Sequence, residues 1–108
     1  LAEGGGFAFA GLWEPPAAGG RFTDPTFAVL TVPANADVRP VHDRMPAILR
    51  PAQFARWLDP SATPADLAEL LAPLPDGALA SHPVGRAVNR AGAEGPGLLR
   101  PVTVGLFG

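Results

Sequence analysis

Three stretches read as extended, and in the first of them apolar residues recur with a period of two. In "FAFAGLW", Phe7, Phe9, Gly11 and Trp13 share one parity and Ala8, Ala10 and Leu12 the other. Both faces are apolar, which predicts a strand covered on both sides; Gly11 marks a bulge or a close approach of another backbone. "TFAVLTV" (Thr26 to Val32) is β-branched and aromatic and predicts a second strand. Between them "EPPAAGGRFTDP" (Glu14 to Pro25) carries Pro15–Pro16 and Gly19–Gly20 and reads as a loop, so the two strands are expected to be antiparallel neighbours. "PANADVRP" (Pro33 to Pro40) is a turn-rich connection. In "VHDRMPAIL" (Val41 to Leu49), Pro40 and Pro46 each push the preceding residue out of the helical region, so a third extended segment is expected.

The period then changes. Phe54, Trp57 and Leu58 in "RPAQFARWL" fall at i, i+3 and i+4, one helical face, with Pro51 suited to the first turn and Asp59–Pro60 ending the run. A second helix is predicted to start at Thr63, with Thr63 as cap, Pro64 at the first helical position and Asp66 at the third. Leu67, Leu70, Leu71 and Leu74 continue its apolar face until Pro73 and Pro75 stop it. Helices this short need packing against the strands. "PDGALASHP" reads as loop, "PVGRAVNRAG" as extended then turn, and "LLRPVTVGLF" (Leu98 to Phe107) as a closing strand interrupted by Pro101. There is no internal repeat and no linker dividing the chain.

Composition narrows the chemistry. With 108 residues, 47% hydrophobic and 17% charged, the chain has the size and apolar content of one small domain. Thirteen glycines and 14 prolines, a quarter of the chain, make it loop-rich. All eight basic residues are arginine, so no lysine can serve as a base or form a Schiff base. With no cysteine there is no thiol nucleophile, disulfide or thiolate-held zinc, and with no tyrosine no phenol acid. A net charge of −2 argues against a nonspecific polycation, although arginines gathered on one face can still hold phosphate. No window approaches the roughly 18 apolar residues of a membrane span, and no basic leader precedes an apolar run. The chain opens on Leu1, and "LAEGGGFAFAGLWE" reads as the middle of a larger domain.

Few residues offer chemistry. His82 precedes a proline in a polar loop and reads as a solvated histidine. Ser61 and Ser81 lie outside any Gly-x-Ser-x-Gly frame, and Gly4 to Gly6 precede a strand rather than a helix, a poor phosphate loop. Glu14 is either an acid/base at a strand end or a structural acid. His42 stands out through its neighbours. In an extended segment His42 and Arg44 share a face and Asp43 takes the other, so Asp43 is not expected to orient the ring. An imidazole with a guanidinium on the same side suits proton transfer beside a bound phosphate; a satisfied strand-end histidine is the alternative.

"FAFAGLWE", "FAVLTVPAN", "HDRMPAIL", "WL" and "HPVGRAVN", in that order and spacing, resemble the later half of the SOS-response-associated peptidase (SRAP) family. The likeness covers nearly the whole chain but only part of the family's domain. It implies a protein that shields abasic sites in single-stranded DNA. An N-terminal cysteine, exposed when the protein removes its own initiator methionine, condenses with the open-chain sugar aldehyde to an imine and closes a thiazolidine ring. The resemblance assigns the catalytic histidine to His42 and substrate or DNA contact to Arg44, Thr31 and Asn35, with Asn35 a turn residue shaping the pocket. It gives Glu14 no catalytic role, because the family's glutamate belongs to an earlier "YEW"-type motif that this chain lacks, as it lacks the cysteine and asparagine.

The expectation is therefore an α+β fold: mostly antiparallel strands in a barrel-like core with two short flanking helices, residues 1–108 forming the C-terminal portion of a single SRAP-like domain. No cofactor or metal is implied. The expected partner is single-stranded DNA with abasic sites, with no membrane, for a monomer in the bacterial cytoplasm near the nucleoid during DNA damage. Alone, the chain is expected to be inactive, with exposed edges and marginal stability. The competing readings are a noncatalytic truncated relative acting as a single-stranded DNA-binding or structural module, and an unrelated small α+β interaction domain.

Overall fold

The computed structural model describes residues 1–16, 18–20 and 23–103. Three extended stretches form six short strands: β1 (Ala8–Phe9), β2 (Gly11–Glu14), β3 (Thr26–Val29), β4 (Thr31–Pro33), β5 (Arg44–Pro46) and β6 (Ile48–Leu49). Each stretch gives one half to one neighbour and the other half to a second. The pairs β1–β6, β2–β3 and β4–β5 are all antiparallel, the middle one as expected from its single connecting loop.

The exchange of partners happens at Ala10, Leu30 and Ala47, and these residues close a ring of backbone hydrogen bonds. Ala10 N–H donates to the Ala47 carbonyl (2.8 Å), Ala47 N–H to that of Leu30 (2.9 Å), and Leu30 N–H to that of Ala10 (2.9 Å). Three backbones converge at this point and leave room only for small side chains, so Ala10 and Ala47 are wholly buried. The residues that would be orphaned by the strand breaks thus satisfy one another.

Around this junction Val32, Met45, Ile48 and Leu49 pack with Leu70 and Leu74. Leu70 arrives on the second helical segment and Leu74 on the loop that follows, because that segment ends at Leu71 and does not run on to Leu74 as predicted. The first segment is a 3-10 turn at Pro51–Gln53 leading into α1 (Phe54–Leu58), and the second is α2 (Pro64–Ala68) followed by a 3-10 turn at Glu69–Leu71. Thr63 caps α2 as expected: its hydroxyl accepts the Asp66 N–H at 3.2 Å, and the Asp66 carboxylate accepts the Thr63 N–H at 3.0 Å. Gly11 is a close backbone approach, since a Cβ there would stand 3.2 Å from the Ala28 carbonyl oxygen. The Trp57 indole N–H reaches the Gly11 carbonyl at 3.2 Å and ties α1 to β2.

Several expectations change. The α+β class holds, but among the described residues the ladders do not close into a barrel; they are three two-stranded pieces around one junction. The strand predicted over Phe7–Trp13 is not covered on both sides: Phe9, Leu12 and Trp13 stay exposed, as do Phe27 and Val29 opposite. The third stretch begins its ladder only at Arg44, because two consecutive turns carry the chain from Asn35 to His42. The closing strand does not form over Leu98–Thr103. Pro96–Leu99 is a 3-10 turn, and only a single bridge joins Pro101 to Val84; Gly95, Pro96, Gly97 and Pro101 deny the segment a continuous ladder. The remainder of that predicted strand, and Ala17, Arg21 and Phe22 of the predicted loop, lie outside the described residues. The radius of gyration over Cα atoms is 17.5 Å, against about 13 Å for a compact domain of this length.

Candidate functional site

The rim of the β4–β5 ladder carries the candidate residues. Thr31 opens β4 and Arg44 opens β5, and antiparallel register sets Pro33 opposite Arg44. The Arg44 side chain runs back along β4, where Nη2 donates to the Thr31 carbonyl (2.8 Å) and to Thr31 Oγ1 (3.1 Å). Both partners are neutral, and among the described residues no carboxylate lies within ion-pair distance of Arg44. A guanidinium has five N–H donors, so this exposed group is oriented by Thr31 while keeping its charge and most of its fork for an incoming anion.

His42 ends the turn that precedes β5. Its N–H donates to the Val38 carbonyl (3.0 Å), and its side chain is 66% exposed. Nδ1 accepts the Arg44 backbone N–H at 2.9 Å. In the neutral ring this bond requires the lone pair on Nδ1, so the proton sits on Nε2. Nδ1 also lies 3.1 Å from Asp43 Oδ1, a contact favourable only when Nδ1 carries a proton. The sequence reading that Asp43 faces away from the ring is therefore corrected. Alternation of faces holds for extended backbone, and Val41–Asp43 is turn and bend instead.

Asn35 is 4% exposed and spends its amide inside the protein. Oδ1 accepts the N–H groups of Asp37 (3.1 Å) and Val38 (3.2 Å), while Nδ2 donates to the Leu74 carbonyl (3.2 Å) and to Asp37 (3.4 Å). This is an Asx turn: the side chain organises the backbone that leads to His42. Thr31, Arg44 and His42 are thus brought together at the surface, with Asn35 beneath them. Arg39, which the sequence reading passed over, stands on the same loop; its Nη2 donates to the Ala34 carbonyl at 3.0 Å. An arginine between the Asn35 and His42 motifs was the available signal.

The other candidates lie apart from this rim. Glu14 is exposed at the end of β2 opposite Thr26. Exposed His82 places Nε2 2.9 Å from the Leu99 carbonyl and tethers the C-terminal turn. Ser61 donates to Asp59, whose carboxyl is held below its ordinary pKa by the Ser61 hydroxyl and then the Ser61 N–H. An apolar groove lined by Phe9, Gly11, Leu49, Phe54 and Trp57 contains none of the candidate polar groups. Among the described residues no cluster of three or more metal-ligating side chains occurs, and no helix is long and apolar enough to cross a membrane.

Comparison with known proteins adds an independent line. The family model "SOS response associated peptidase (SRAP)" matches residues 1–91. The abasic site processing protein HMCES of Gallus gallus is 35% identical over 96 residues, covering 87% of this chain and 27% of that protein. Abasic site processing protein YoqW of Bacillus subtilis (strain 168) is 33% identical over 97 residues, 86% of this chain and 42% of its own length. YedK of Escherichia coli (strain K12), also named an abasic site processing protein, is 30% identical over 78 residues, covering 70% of this chain and 35% of that protein. A crystal structure of a Bacteroides thetaiotaomicron protein superposes with a TM-score of 0.75 at 22% identity, over 90% of this chain and 44% of that one, a likeness of fold. The chain spans between about a quarter and two fifths of the length of these curated relatives. Match to the family model over most of its length, together with these relatives, shows that the chain belongs to the SRAP family.

Proposed function

We propose that residues 1–108 are the C-terminal portion of a single SRAP domain that processes abasic sites in single-stranded DNA, with His42 as its acid/base group. The carrying observation is the exposed imidazole beside a guanidinium that is oriented by neutral Thr31 oxygens and left with free donors. A DNA phosphate neutralises that charge and sets the strand against the rim. Arg44 is the phosphate contact, Thr31 its orienting partner, and Asn35 shapes the loop beneath.

In this reading the nucleophile comes from elsewhere in the domain, as an N-terminal cysteine freed by removal of the initiator methionine. Its α-amine attacks the aldehyde carbon of the opened abasic sugar, and the carbinolamine expels its hydroxyl as water to give an imine. The thiol then adds across the C=N bond and closes the thiazolidine. As the imidazolium, with its Nδ1–H turned to the Asp43 carboxylate at 3.1 Å, His42 gives its Nε2 proton to the departing hydroxyl and is left as the neutral ring. No cofactor enters, and the protein acts as a cytoplasmic monomer.

The 108-residue chain has no cysteine. Incubated alone with an abasic oligonucleotide, it is expected to give salt-sensitive retention but no covalent band, and the same mixture also serves the second reading, a noncatalytic single-stranded DNA-binding or structural module. Joined behind the cysteine-bearing portion of the domain, it is expected to yield a denaturation-resistant adduct. There His42→Ala should slow adduct formation about 10²-fold, and unchanged adduct formation would remove His42 from the chemistry. Failure of the joined protein to form any adduct would favour the noncatalytic module.

A further inference from the structure

Two loops far apart in sequence hold each other beneath the candidate site. From the Asn35 side, the Asn35 amide donates to the Leu74 carbonyl (3.2 Å) and the Ala36 N–H donates to Asp76 Oδ1 (2.7 Å). From the other side, the Gly77 N–H meets both Asp37 carboxylate oxygens at 3.0 Å, and the Leu79 N–H donates to Asp37 Oδ2 at 3.1 Å. Each loop offers an aspartate to the other's backbone. Gly77 has φ +86°, a turn conformation glycine adopts readily; the Gly77 and Leu79 N–H groups meet at the Asp37 carboxylate, while the Ala78 N–H between them donates to the Pro75 carbonyl at 3.1 Å. The outer loop is itself anchored, because Leu74 and Leu70 are buried in the core.

The inner loop continues directly into the site. The Asn35 carbonyl accepts the N–H groups of Val38 and Arg39 (3.3 and 2.9 Å), and the Val38 carbonyl accepts those of Val41 and His42 (2.8 and 3.0 Å). Two linked turns thus fix the His42 backbone relative to Asn35 and Asp37. The ring can accept the Arg44 N–H only while that backbone stays in place.

We infer that Asp37, assisted by Asp76, is a positioning residue for His42: the paired loops set where the imidazole stands and which of its nitrogens carries the proton. This rests on the reading of His42 as the acid/base group. The test uses the 108-residue chain with Asp37→Ala, Asp37→Asn and Asp76→Ala, followed by amide hydrogen exchange and by the ¹⁵N shifts of the His42 ring above its titration. Asp37→Ala is expected to speed exchange at Val38, Arg39, Val41 and His42 about tenfold or more. It should also turn the ring from a predominantly Nε2–H tautomer into a mixture, while the amides of Ala10, Leu30 and Ala47 at the strand junction exchange as before. Asp37→Asn, which keeps one acceptor oxygen, should restore part of the native ring signature.

Faster exchange at Gly77 and Leu79 with an unchanged His42 ring and unchanged Val38–His42 amides would overturn the inference. If Asp37→Ala also opens the junction amides, Asp76→Ala, which removes one acceptor, decides by the same ring signature. The two readings fail separately. A shifted ring together with full adduct formation by His42→Ala would sink the catalytic role and leave the positioning intact; an unshifted ring with a slow His42→Ala protein would do the reverse.

Discussion

The β2–β3 and β4–β5 ladders share the second extended stretch, which gives β3 to one and β4 to the other, and their fates differ. Both are two-stranded and antiparallel. In β4–β5, Val32 and Met45 stand opposite each other and both are buried, Met45 at 2% exposure, because Leu70 and Leu74 close over that face. In β2–β3, Trp13 stands opposite Phe27 with 69% and 80% exposure. Backbone pairing makes a ladder, but an isolated two-stranded ladder is marginal in water and gains its stability from what lies on its face. The candidate site sits on the covered ladder, where a catalytic group can be held in place. The bare ladder presents apolar surface of the sort that marks an interaction face.

The comparison breaks most sharply at Met45. Met45→Ala removes a buried side chain and leaves a cavity beneath the site, with an expected loss of about 2–5 kcal/mol. In a core this small that is enough to unfold much of the population at room temperature, measurable by urea titration with far-ultraviolet circular dichroism. Retention of native stability would mean that the covered ladder is no better packed than the bare one.

A smaller effect is expected at the cap that brings the leucines into register. Thr63→Ala removes the hydroxyl that accepts the Asp66 N–H and should cost about 1 kcal/mol. The same cap is sensitive to acid. The Asp66 carboxyl lies below its ordinary pKa because the Thr63 N–H and then the Thr63 hydroxyl favour its charged form. A carboxyl depressed in the folded state adds stability above its unfolded pKa of about 4, and that contribution disappears as pH falls through the lower folded value. Asp59 shifts in the same direction through Ser61. A thermal melt repeated from pH 6 down to 2.5 should therefore fall, and part of the fall should vanish in Asp66→Asn. Identical pH profiles for the two proteins would remove the cap from the acid response.

Local chemistry made much of this legible. The Thr63–Pro64–Asp66 start of α2 needs only neighbours in sequence, and the leucine spacing named its buried side. The three extended stretches were visible from alternation in the first, β-branched and aromatic content in the second and flanking prolines in the third, but the exchange of partners at Ala10, Leu30 and Ala47 was not, since each of those signals runs straight through the break. Only the small size of Ala10 and Ala47 hints at converging backbones. At the site, His42, Arg44 and Thr31 were marked by motif and resemblance, and the structure brings them together. The Asp43 contact was missed because two turns replace strand before Arg44. The Asp37 and Asp76 contacts were missed because they join loops 40 residues apart, a distance over which composition carries no signal.

The bare ladder supplies the finest test. If Trp13 and Phe27 are unsupported in this chain, replacing either with serine removes little buried surface and should change stability by no more than about 1 kcal/mol. Their joint replacement tests more, because directly opposed aromatic residues contribute about 0.2–1 kcal/mol across a ladder even when exposed. A double-mutant cycle by urea denaturation isolates that term. In the joined protein proposed above, the same substitutions should be costlier if the added portion covers this face and buries both rings. Equal small effects in the short and extended proteins would show that the face stays open to solvent, and that the contrast between the ladders belongs to the domain rather than to the length of chain compared.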